Sequence, residues 1–359
     1  MARIAGFIAA VVACTIAASA AREQNGKDAG WIPLSDGKTM NGWTPNERPE
    51  SWGIEDGAFV TKGDVSHLFY TGSVANHEFK NFELEAEVKA TPGSNGGIFV
   101  HTKLQGPGFP PAGYELQVIN SNPPVKSPTA YVEHKMTGSI YAVRNTWASP
   151  VKDNEWFKYR IKVSGKTIQT FINDRLTCEY TEPENPFRPA DKKERLLGSG
   201  TFALQAHNLG SDVRYRALRV RLLPDDSPSI GTPIADRDLD TLITQFSNDN
   251  MPLIDLGLVP PSGAAADAFW NDVRRYGMTP GAAYSLDALR QYGRSVLVVN
   301  DRDRPIDPAA LASAWASGAK LIFSSGGESR IDEARLKARL LAIRAARLSW
   351  LDFWVPGKN

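Results

Sequence analysis

Short runs in which apolar and polar residues alternate fill the first two-thirds of the chain. The run from Phe82 to Val88 alternates strictly, and residues 158–163 and 213–215 repeat the pattern. A period of two places the apolar side chains on one face of a β-strand. Glycine, proline and asparagine separate the runs, as they do in all-β proteins. Residues 31–223 are therefore predicted to form a β-sandwich.

The pattern changes beyond residues 224–235, a stretch rich in proline and serine that predicts a linker. Continuous apolar runs follow and predict buried strands, at residues 253–259, 295–299 and 320–324. Stretches with helical spacing lie between and after them, at residues 264–276, 308–317 and 332–350. Strands that alternate with helices are typical of βαβ units around a parallel sheet. Residues 236–359 are therefore predicted to form a smaller α/β domain.

The first 21 residues have the pattern of a secretory signal peptide. Arg3 supplies a positive charge, residues 4–16 an apolar run, and residues 18–20 a small-residue cleavage site. The apolar run is too short to span a bilayer, so no transmembrane helix is expected in the mature chain. A periplasmic or secreted protein is predicted. The residues before Cys14 also resemble a lipobox, which would make Cys14 a lipid anchor after processing.

Charge and cysteine content exclude two classes of protein. The formal net charge is +1, whereas proteins that bind nucleic acid carry a strongly basic face, so no nucleic-acid partner is expected. If Cys14 leaves with the signal, Cys178 is the single cysteine that remains, and a disulfide framework is excluded. The composition carries no indication of the oligomeric state.

Three predicted strands carry polar side chains that alternate with apolar ones, so that the polar groups share a face. They are His101 in the first strand, Glu115 and Gln117 in the second, and Gln205 and His207 in the third. Carboxylate, amide and imidazole groups hydrogen-bond sugar hydroxyls, move protons and hold divalent cations. The pattern is compatible with a small carbohydrate as ligand, although alternation alone fits an ordinary polar face better. An ordinary solvated sheet face is the alternative, because antiparallel sheets commonly have one polar side.

The same residues lie within an ordered series of motifs that resembles the 3-keto-disaccharide hydrolase family. The series is WIPLSDGKTMNGW at 31–43, WGIEDG at 52–57, NFEL at 81–84, NGGIF at 95–99, GYELQ at 113–117, TGSIY at 137–141 and LQAH at 204–207. The resemblance implies a jelly-roll sandwich of the concanavalin A-like or LamG-like kind. It also implies activity on glycosides that are oxidised to the 3-ketone. Many relatives carry arginine at the position of His101.

The implied chemistry needs a general base and a group that stabilises negative charge. A ketone at the third sugar carbon acidifies the neighbouring hydrogen, and the enediolate left by its removal expels the anomeric substituent. Glu115 or His207 is then expected to be the base. Four residues are expected to orient the substrate or stabilise the enediolate, namely His101, Gln117, Tyr141 and Gln205. A divalent metal ion held by Glu115 and His207 is the other candidate for that stabilisation, and the sequence does not choose. Hydrolysis and elimination also both stay open.

Two other functions are compatible with parts of the sequence. Glu83, Glu85 and Glu87 resemble the acidic strand motif of laminarinase-type β-glucan hydrolases, and a retaining glycosidase needs two carboxylates about 5 Å apart. Ordinary surface charges explain the same pattern. A non-catalytic carbohydrate-binding module shares the predicted fold. Such a module would bind glycans through exposed tryptophans, for which the candidates are Trp43, Trp52 and Trp147.

The second predicted domain shows a weaker resemblance. Residues 318–325 and 348–357 resemble the C-terminal part of PHP-type phosphoesterase-like domains. Those domains bind metals largely through histidine, and no histidine follows His207, so an intact metal centre of that kind is excluded. A structural or partner-binding role is expected. Three polar residues at predicted strand ends are expected to form caps or turns, namely Asp255, Asn300 and Asp301.

Overall fold

The computed structural model describes residues 29–123, 132–250, 254–255, 262–277, 279–280, 295–300, 309, 319–324 and 331–345. Some sequence predictions lie wholly or partly outside these residues: the signal peptide at 1–21 with Cys14, positions 253 and 256–259 of the strand at 253–259, the helix at 308–317 apart from residue 309, Asp301, positions 346–350 of the last helix, and the motif at 348–357.

Two antiparallel sheets form a β-sandwich in the first part of the chain. Its strands are β1 (Trp31–Pro33), β2 (Trp43–Pro45), β3 (Trp52–Glu55), β4 (Ala58–Thr61), β5 (Ser66–Tyr70), β6 (Phe82–Ala90), β7 (Gly96–Thr102), β8 (Tyr114–Val118), β9 (Phe157–Ser164), β10 (Thr167–Ile172), β11 (Arg175–Thr181), β12 (Thr201–Ala206) and β13 (Val213–Leu222). The larger sheet has the order β11-β10-β9-β6-β13-β4-β3, with β1 also paired to β13. The smaller, five-stranded sheet has the order β2-β5-β12-β7-β8. The predicted sandwich is confirmed.

The facing sides of the two sheets bury one continuous apolar core. On β6, Leu84, Ala86 and Val88 are at most 1% exposed, and Leu116 and Leu204 meet them from the five-stranded sheet. Strand alternation places these side chains on the inner face, as the sequence pattern predicts. The polar residues between them therefore lie on the two outer faces.

The outer face of the larger sheet carries a ladder of ion pairs. Its acids are the three glutamates of β6, each paired with an arginine of β13 across the ladder: Glu83 with Arg221 at 2.8 Å, Glu85 with Arg219 at 2.6 Å, and Glu87 with Arg216 at 2.6 Å. Opposite charges on neighbouring strands stabilise a sheet modestly. Each carboxylate is neutralised by its partner, and all three lie on the sheet opposite the cleft described below. The structure therefore favours surface charges over a laminarinase-type site.

Beyond the sandwich the chain forms a parallel sheet with helices, as predicted. The strands are β14 (Ile254–Asp255), β15 (Thr279–Pro280), β16 (Ser295–Asn300) and β17 (Ala319–Ser324), in the order β15-β14-β17-β16. The helices are α1 (Arg237–Asn248), α2 (Ala265–Arg275) and α3 (Glu333–Ala345). β14 ends at Asp255 and β16 at Asn300, where the sequence predicts strand ends. No helix among the described residues is long and apolar enough to cross a membrane.

Helix α1 was not predicted, although its sequence carries the signals. Asp236 caps the helix by accepting the backbone N–H groups of Asp238 and Leu239, at 3.0 and 3.1 Å. An apolar stripe follows with spacing of three and four residues, formed by Leu239, Leu242, Ile243 and Phe246. This stripe packs against α2 and α3 in a second apolar cluster. The helix begins directly at the end of the proline-rich stretch, which obscured its start.

The predicted linker at 224–235 is bound along the sandwich. The Ser164 hydroxyl donates to the carbonyl of Pro228 at 2.7 Å, and the backbone N–H of Lys166 donates to Ser229 Oγ at 2.8 Å. These bonds fix the segment to the turn between β9 and β10. Because the linker is fixed to this turn, the position at which α1 begins beside the sandwich is fixed as well.

Helices α1 and α2 dock on residues 132–147 of the sandwich, which we call the rim segment. The buried guanidinium of Arg144 forms an ion pair with Asp240 of α1. Asn250, just past α1, accepts the backbone N–H of His134 and donates to the carbonyl of Val132, both at 3.0 Å. The indole N–H of Trp147 donates to the carbonyl of Gly277 at 3.0 Å. The rim segment is therefore held from both sides, by the sandwich and by the α/β part.

Candidate active site

The outer face of the five-stranded sheet forms the floor of a cleft of about 340 Å³. Four residues that the sequence singled out line it together, namely Glu115, Gln117, Tyr141 and His207. Glu115 and Gln117 come from β8, and His207 directly follows β12. Strand alternation explains why they share this side, since the intervening side chains point into the sandwich core.

Glu115 lies at the floor of the cleft and is held by two donors. It is 5% exposed. Its Oε1 accepts the side-chain amide N–H of Gln205 at 3.0 Å, and its Oε2 accepts Arg195 Nη2 at 3.3 Å. Gly97 on the neighbouring strand β7 leaves room for this carboxylate, because a Cβ there would lie 3.3 Å from Oε1. The arrangement fixes a buried carboxylate and a guanidinium side by side at the cleft.

Arg195 is a residue that the sequence analysis missed. Its Nη1 donates to the carbonyl of Tyr141 at 3.3 Å, and its guanidinium lies 5.4 Å from the centre of the Tyr141 ring. It comes from an irregular stretch between β11 and β12, where no alternation indicates which side chains point inward. The charged run DKKER at 191–195 was the available signal. Arg195 brings a fixed positive charge into the cleft, and a guanidinium suits an anionic oxygen.

The hydrogen bonds of His207 define which of its ring nitrogens accepts a proton. Nδ1 lies 2.9 Å from the Asn208 side-chain oxygen, and the Asn208 amide N–H in turn donates to the carbonyl of Leu209 at 2.9 Å. Because that second bond assigns the orientation of the amide, Nδ1 of His207 carries the proton. Nε2 is then the basic nitrogen. This assignment leaves Nε2 as the unprotonated nitrogen of a ring that lines the cleft.

The two glutamines of the cleft face use their amide N–H groups internally. Gln117 donates to Asn95 Oδ1 at 3.3 Å, and Gln205 donates to Glu115. Within the described part of the chain, the side-chain oxygens of both glutamines are buried and lack a hydrogen-bond partner. Each oxygen therefore has unused capacity to accept a hydrogen bond.

His101 does not reach the cleft, and the expectation that it shares a face with the polar residues of the other two strands is wrong. Its backbone φ is 55° and a β-bulge interrupts the pairing of β7 with β12 here, so the alternation breaks. The ring packs edge-on against Phe82 of the core. Nε2 bonds to the Lys80 carbonyl at 2.9 Å and Nδ1 to the Gly198 N–H at 3.1 Å. Burial lowers the pKa of His101 to about 4, so the ring is neutral at pH 7.

Tyr141 connects the cleft to the interior of the rim segment. Its hydroxyl donates to Glu133 Oε2 at 3.0 Å, and Lys135 Nζ pairs with Glu133 Oε1 at 2.9 Å. The Lys135 ammonium also lies 4.7 Å from the centre of the Tyr141 ring. Burial lowers the pKa of Lys135, and the neighbouring Glu133 opposes that shift. This network fixes the Tyr141 ring at the cleft wall.

The residues of the cleft do not fit a metal site. Among residues 29–123, 132–250 and the shorter described segments, no group of three His, Cys, Asp or Glu side chains is arranged to hold a metal ion. Both oxygens of Glu115 already accept hydrogen bonds, and the guanidinium of Arg195 beside them repels a second cation. The metal alternative at Glu115 and His207 therefore lacks a suitable donor set.

The tryptophans proposed for a binding module are part of the fold. Trp43, Trp52 and Trp147 are all at most 6% exposed. Each indole N–H is bonded internally, to the Leu34 carbonyl at 2.7 Å, to Ser66 Oγ at 3.0 Å and to the Gly277 carbonyl at 3.0 Å, respectively. A glycan-stacking platform needs exposed ring faces, so none of these three provides one.

Comparison with known proteins identifies the family. Residues 30–221 match the model of the 3-keto-α-glucoside-1,2-lyase-like domain. A 3-keto-disaccharide hydrolase of Bacteroides thetaiotaomicron is 29% identical over 231 residues, which cover 54% of this chain and 79% of that protein. A solved candidate glycosyl hydrolase of Parabacteroides distasonis is 21% identical with a TM-score of 0.47, over 55% of this chain and 96% of the other. The carbohydrate-binding module CBM66 of Bacillus subtilis is 11% identical with a TM-score of 0.36, over 51% and 97%. The family match covers the whole sandwich, and the chain accordingly belongs to the family of 3-keto-α-glucoside-1,2-lyase-like domains.

Proposed function

We propose that the cleft cleaves 3-keto-glycosides by base-assisted elimination, with water addition completing a net hydrolysis. The observation that carries the proposal is the arrangement of Arg195, Glu115 and His207 around one cleft. It combines a fixed positive charge, a buried carboxylate that orients it, and an imidazole with a basic Nε2. The name of the Bacteroides relative, a 3-keto-disaccharide hydrolase, supports the same substrate class.

The proposed reaction begins at the carbon next to the ketone. His207 Nε2 takes the proton from C2, and the electron pair of that C–H bond forms a C2=C3 double bond. The former ketone oxygen then carries the negative charge of the resulting enediolate. The ketone then re-forms, a C1=C2 double bond appears, and the C1–O bond breaks with its electrons on the leaving oxygen. That oxygen takes a proton from water. Addition of water across C1=C2 gives the free 3-keto sugar.

Arg195 stabilises the enediolate in this scheme. A guanidinium placed where negative charge develops lowers the barrier more than it stabilises the neutral ketone. Glu115 holds Arg195 in place and, with both oxygens accepting hydrogen bonds, is less suited than His207 to take the proton. The unpartnered side-chain oxygens of Gln117 and Gln205 accept sugar hydroxyls, and Tyr141 borders the bound ring.

We also propose that residues 1–21 direct export, which places the enzyme in the periplasm or outside the cell, as two domains spanning 31–223 and 236–359. The proposal rests on the charged, apolar and small-residue segments of the N-terminus. The intact mass of the mature protein tests it. Cleavage after residue 20 or 21 supports a signal peptide. A chain that begins at Cys14 with added acyl mass supports the lipoprotein alternative.

The direct test is incubation of the full-length protein with methyl 3-keto-α-glucoside, with the products followed by NMR. A 2-hydroxy-glycal 3-ketone that precedes the free 3-keto sugar is expected. The rate is expected to be the same with a chelator, because the donor set does not fit a metal. Absence of methanol release would overturn the proposed function, and a free 3-keto sugar formed without solvent exchange at C2 would exclude the elimination step.

Two substitutions separate the roles in the cleft. His207→Gln is expected to lower kcat by about 100-fold to 10,000-fold, the usual contribution of a general base. His77→Gln is the matched control, since His77 is an exposed histidine outside the cleft, and is expected to be silent. If Glu115→Gln is inactive while His207→Gln keeps full activity, Glu115 is the base instead.

A further inference from the structure

His67 is a buried imidazole that the proposed chemistry does not use. It lies on β5, and its side chain is fully buried. In the part of the chain that the structure describes, neither Nδ1 nor Nε2 of this ring has a hydrogen-bond partner. The rings of Phe99 and Phe109 pack edge-on against it, each with centres 5.3 Å away. Burial of a polar group without a partner costs free energy, so an imidazole here points to a ligand that completes its bonds.

Gln205 stands directly opposite His67 in the pairing of β5 with β12. Side chains at such positions begin about 5 Å apart, so the two groups are neighbours on the cleft-side face. Gln205 uses its N–H for Glu115, and its Oε1 is buried without a partner among the described residues. One amide oxygen next to Glu115 and two imidazole nitrogens next to that amide thus remain available.

The protonation state of His67 indicates what would complement this set. Burial, and secondly the charge of His207, lowers the pKa of His67 to about 3, so the ring is neutral at pH 7. A neutral imidazole donates from one nitrogen and accepts at the other. The amide oxygen of Gln205 accepts. A hydroxyl group, which donates one hydrogen bond and accepts others, matches these groups, whereas an anion or a cation does not.

Phe109 covers His67 on the side of the cleft. Its ring also packs against His207, with centres 5.6 Å apart, and is 48% exposed. The loop that carries it is anchored, since the Asn46 amide donates to the Gly108 carbonyl at 3.1 Å. Because nearly half of the Phe109 ring is exposed and the loop backbone is anchored, a rotation of this side chain is the movement that the subsite requires to uncover His67.

We propose that His67 and Gln205 form an inner subsite beneath Phe109, which binds one hydroxyl group of the sugar ring when the Phe109 side chain swings aside. The subsite adjoins Glu115 and thereby fixes the ring relative to His207 and Arg195. The substrate class rests on the proposed function. His67 is a specificity-determining residue in this arrangement and takes no part in proton transfer.

Ring NMR of histidine-labelled, full-length protein tests the subsite without turnover. Methyl α-glucoside is the probe, because it has the ring hydroxyls but no ketone, and a His67→Gln sample assigns the signal. The chemical shifts of the His67 ring nitrogens are expected to change as the probe is added and to reach a plateau when the site is saturated. The 4-deoxy and 6-deoxy analogues of the probe are titrated in the same way. The analogue that lacks the bound hydroxyl is expected to leave the His67 signals unshifted, and the other analogue is expected to shift them. A His67 signal that stays unchanged throughout the titrations overturns the subsite.

Kinetics supply a second, independent readout. His67→Phe keeps a ring and removes both nitrogens, and His77→Phe is the matched control at an exposed position. His67→Phe is expected to raise KM for methyl 3-keto-α-glucoside about tenfold, the value of one hydrogen bond, with kcat within threefold. The effect is expected to vanish for the deoxy substrate that lacks the bound hydroxyl. An equal effect on all substrates would overturn the subsite. If His67→Phe does not fold, the NMR titration decides.

The two proposals fail separately in these experiments. If the wild-type protein does not turn over methyl 3-keto-α-glucoside, the proposed function fails, and the titration with methyl α-glucoside still tests the subsite. If turnover is observed while the His67 signal never shifts, the subsite alone fails.

Discussion

Two of the buried pairs of arginine and carboxylate among the described residues serve different ends. Arg144 and Asp240 join the rim segment to α1, with side chains 1% and 4% exposed. Arg195 and Glu115 face the cleft. Their side chains are 10% and 7% exposed, and the hydrogen bond between them is 3.3 Å long. The same two functional groups thus form a closed contact in one region and a contact open to a ligand in the other.

The difference lies in what else each guanidinium bonds. Arg144 also donates to the Arg275 carbonyl at 2.8 Å, to the Val143 carbonyl at 2.7 Å and to Thr244 Oγ1 at 3.3 Å, and it is wrapped by protein. Arg195 has longer bonds, to Glu115 and the Tyr141 carbonyl, both at 3.3 Å. A pair whose donors are all used internally stabilises an interface. A pair with longer bonds beside a cleft retains the capacity to bind an incoming oxygen.

The largest effect is expected at the closed pair. Asp240→Ala leaves the Arg144 charge buried without its partner, and the free energy of unfolding is expected to fall by about 3–5 kcal/mol. Urea denaturation measures it. The double variant Arg144→Met, Asp240→Leu is expected to recover most of the loss, because it removes both charges. A loss below about 1 kcal/mol for Asp240→Ala would show that the interface does not depend on this pair.

The open pair is expected to affect activity more than stability. Arg195→Met removes the charge that faces the enediolate, and kcat/KM for a 3-keto-glucoside is expected to fall by about 100-fold to 1000-fold. The free energy of unfolding is expected to fall by only about 1–2 kcal/mol, as for one buried hydrogen bond. If the folded Arg195→Met variant has the same kcat/KM as the wild type but is much less stable, this pair has a structural role like that of Arg144 and Asp240.

A smaller effect is expected where the two regions meet. Asn250 has a φ of 60°, so Asn250→Gly keeps the backbone and removes both bonds to the rim segment. The free energy of unfolding is expected to fall by about 1–2 kcal/mol. kcat is expected to fall severalfold while KM changes little, because the segment carries Glu133 and Tyr141. Unchanged kcat would show that the sandwich alone holds the rim segment.

The smallest effect is expected at an exposed pair, which calibrates the other three substitutions. Glu85→Ala breaks the pair with Arg219 on the outer face of the larger sheet, where the arginine is 32% exposed. Solvent screens such pairs, so the expected loss of unfolding free energy is about 0–1 kcal/mol. Activity is expected to stay unchanged. Loss of activity on Glu85→Ala would reopen the laminarinase-type interpretation of this strand.

The part of the site that lies on regular strands was predictable from the sequence. Alternation in β8 and β12 placed Glu115, Gln117 and Gln205 on one face because strand geometry is local. The same rule failed for His101, since the bulge with positive φ turns the ring into the core. The break arises from the way β7 pairs with β12, a strand far away in the sequence, and residues 97–101 alone contain no signal for it.

The part of the site that comes from irregular chain was not predictable. Arg195 lies in a stretch without periodicity, so its direction depends on tertiary contacts with Glu115 and Tyr141. His67 was missed for a different reason, because it lies on the regular strand β5 beside the apolar Leu68 and Phe69. That its ring nitrogens lack partners among the described residues is known only once the neighbouring strands and the Phe109 ring are placed. Residues that are far apart in the sequence line the cleft, and the distances between them cannot be derived from a single sequence.

The docking of α1 and α2 on the rim segment restricts how the protein can be shortened for expression. A chain cut after residue 223 would lose Asp240 and Asn250, and it would uncover Trp147, which is 1% exposed in the full protein. An exposed indole next to an unpaired guanidinium is expected to make this surface prone to aggregation. Soluble, active fragments are expected to extend through at least residue 277, so that Gly277 still meets Trp147.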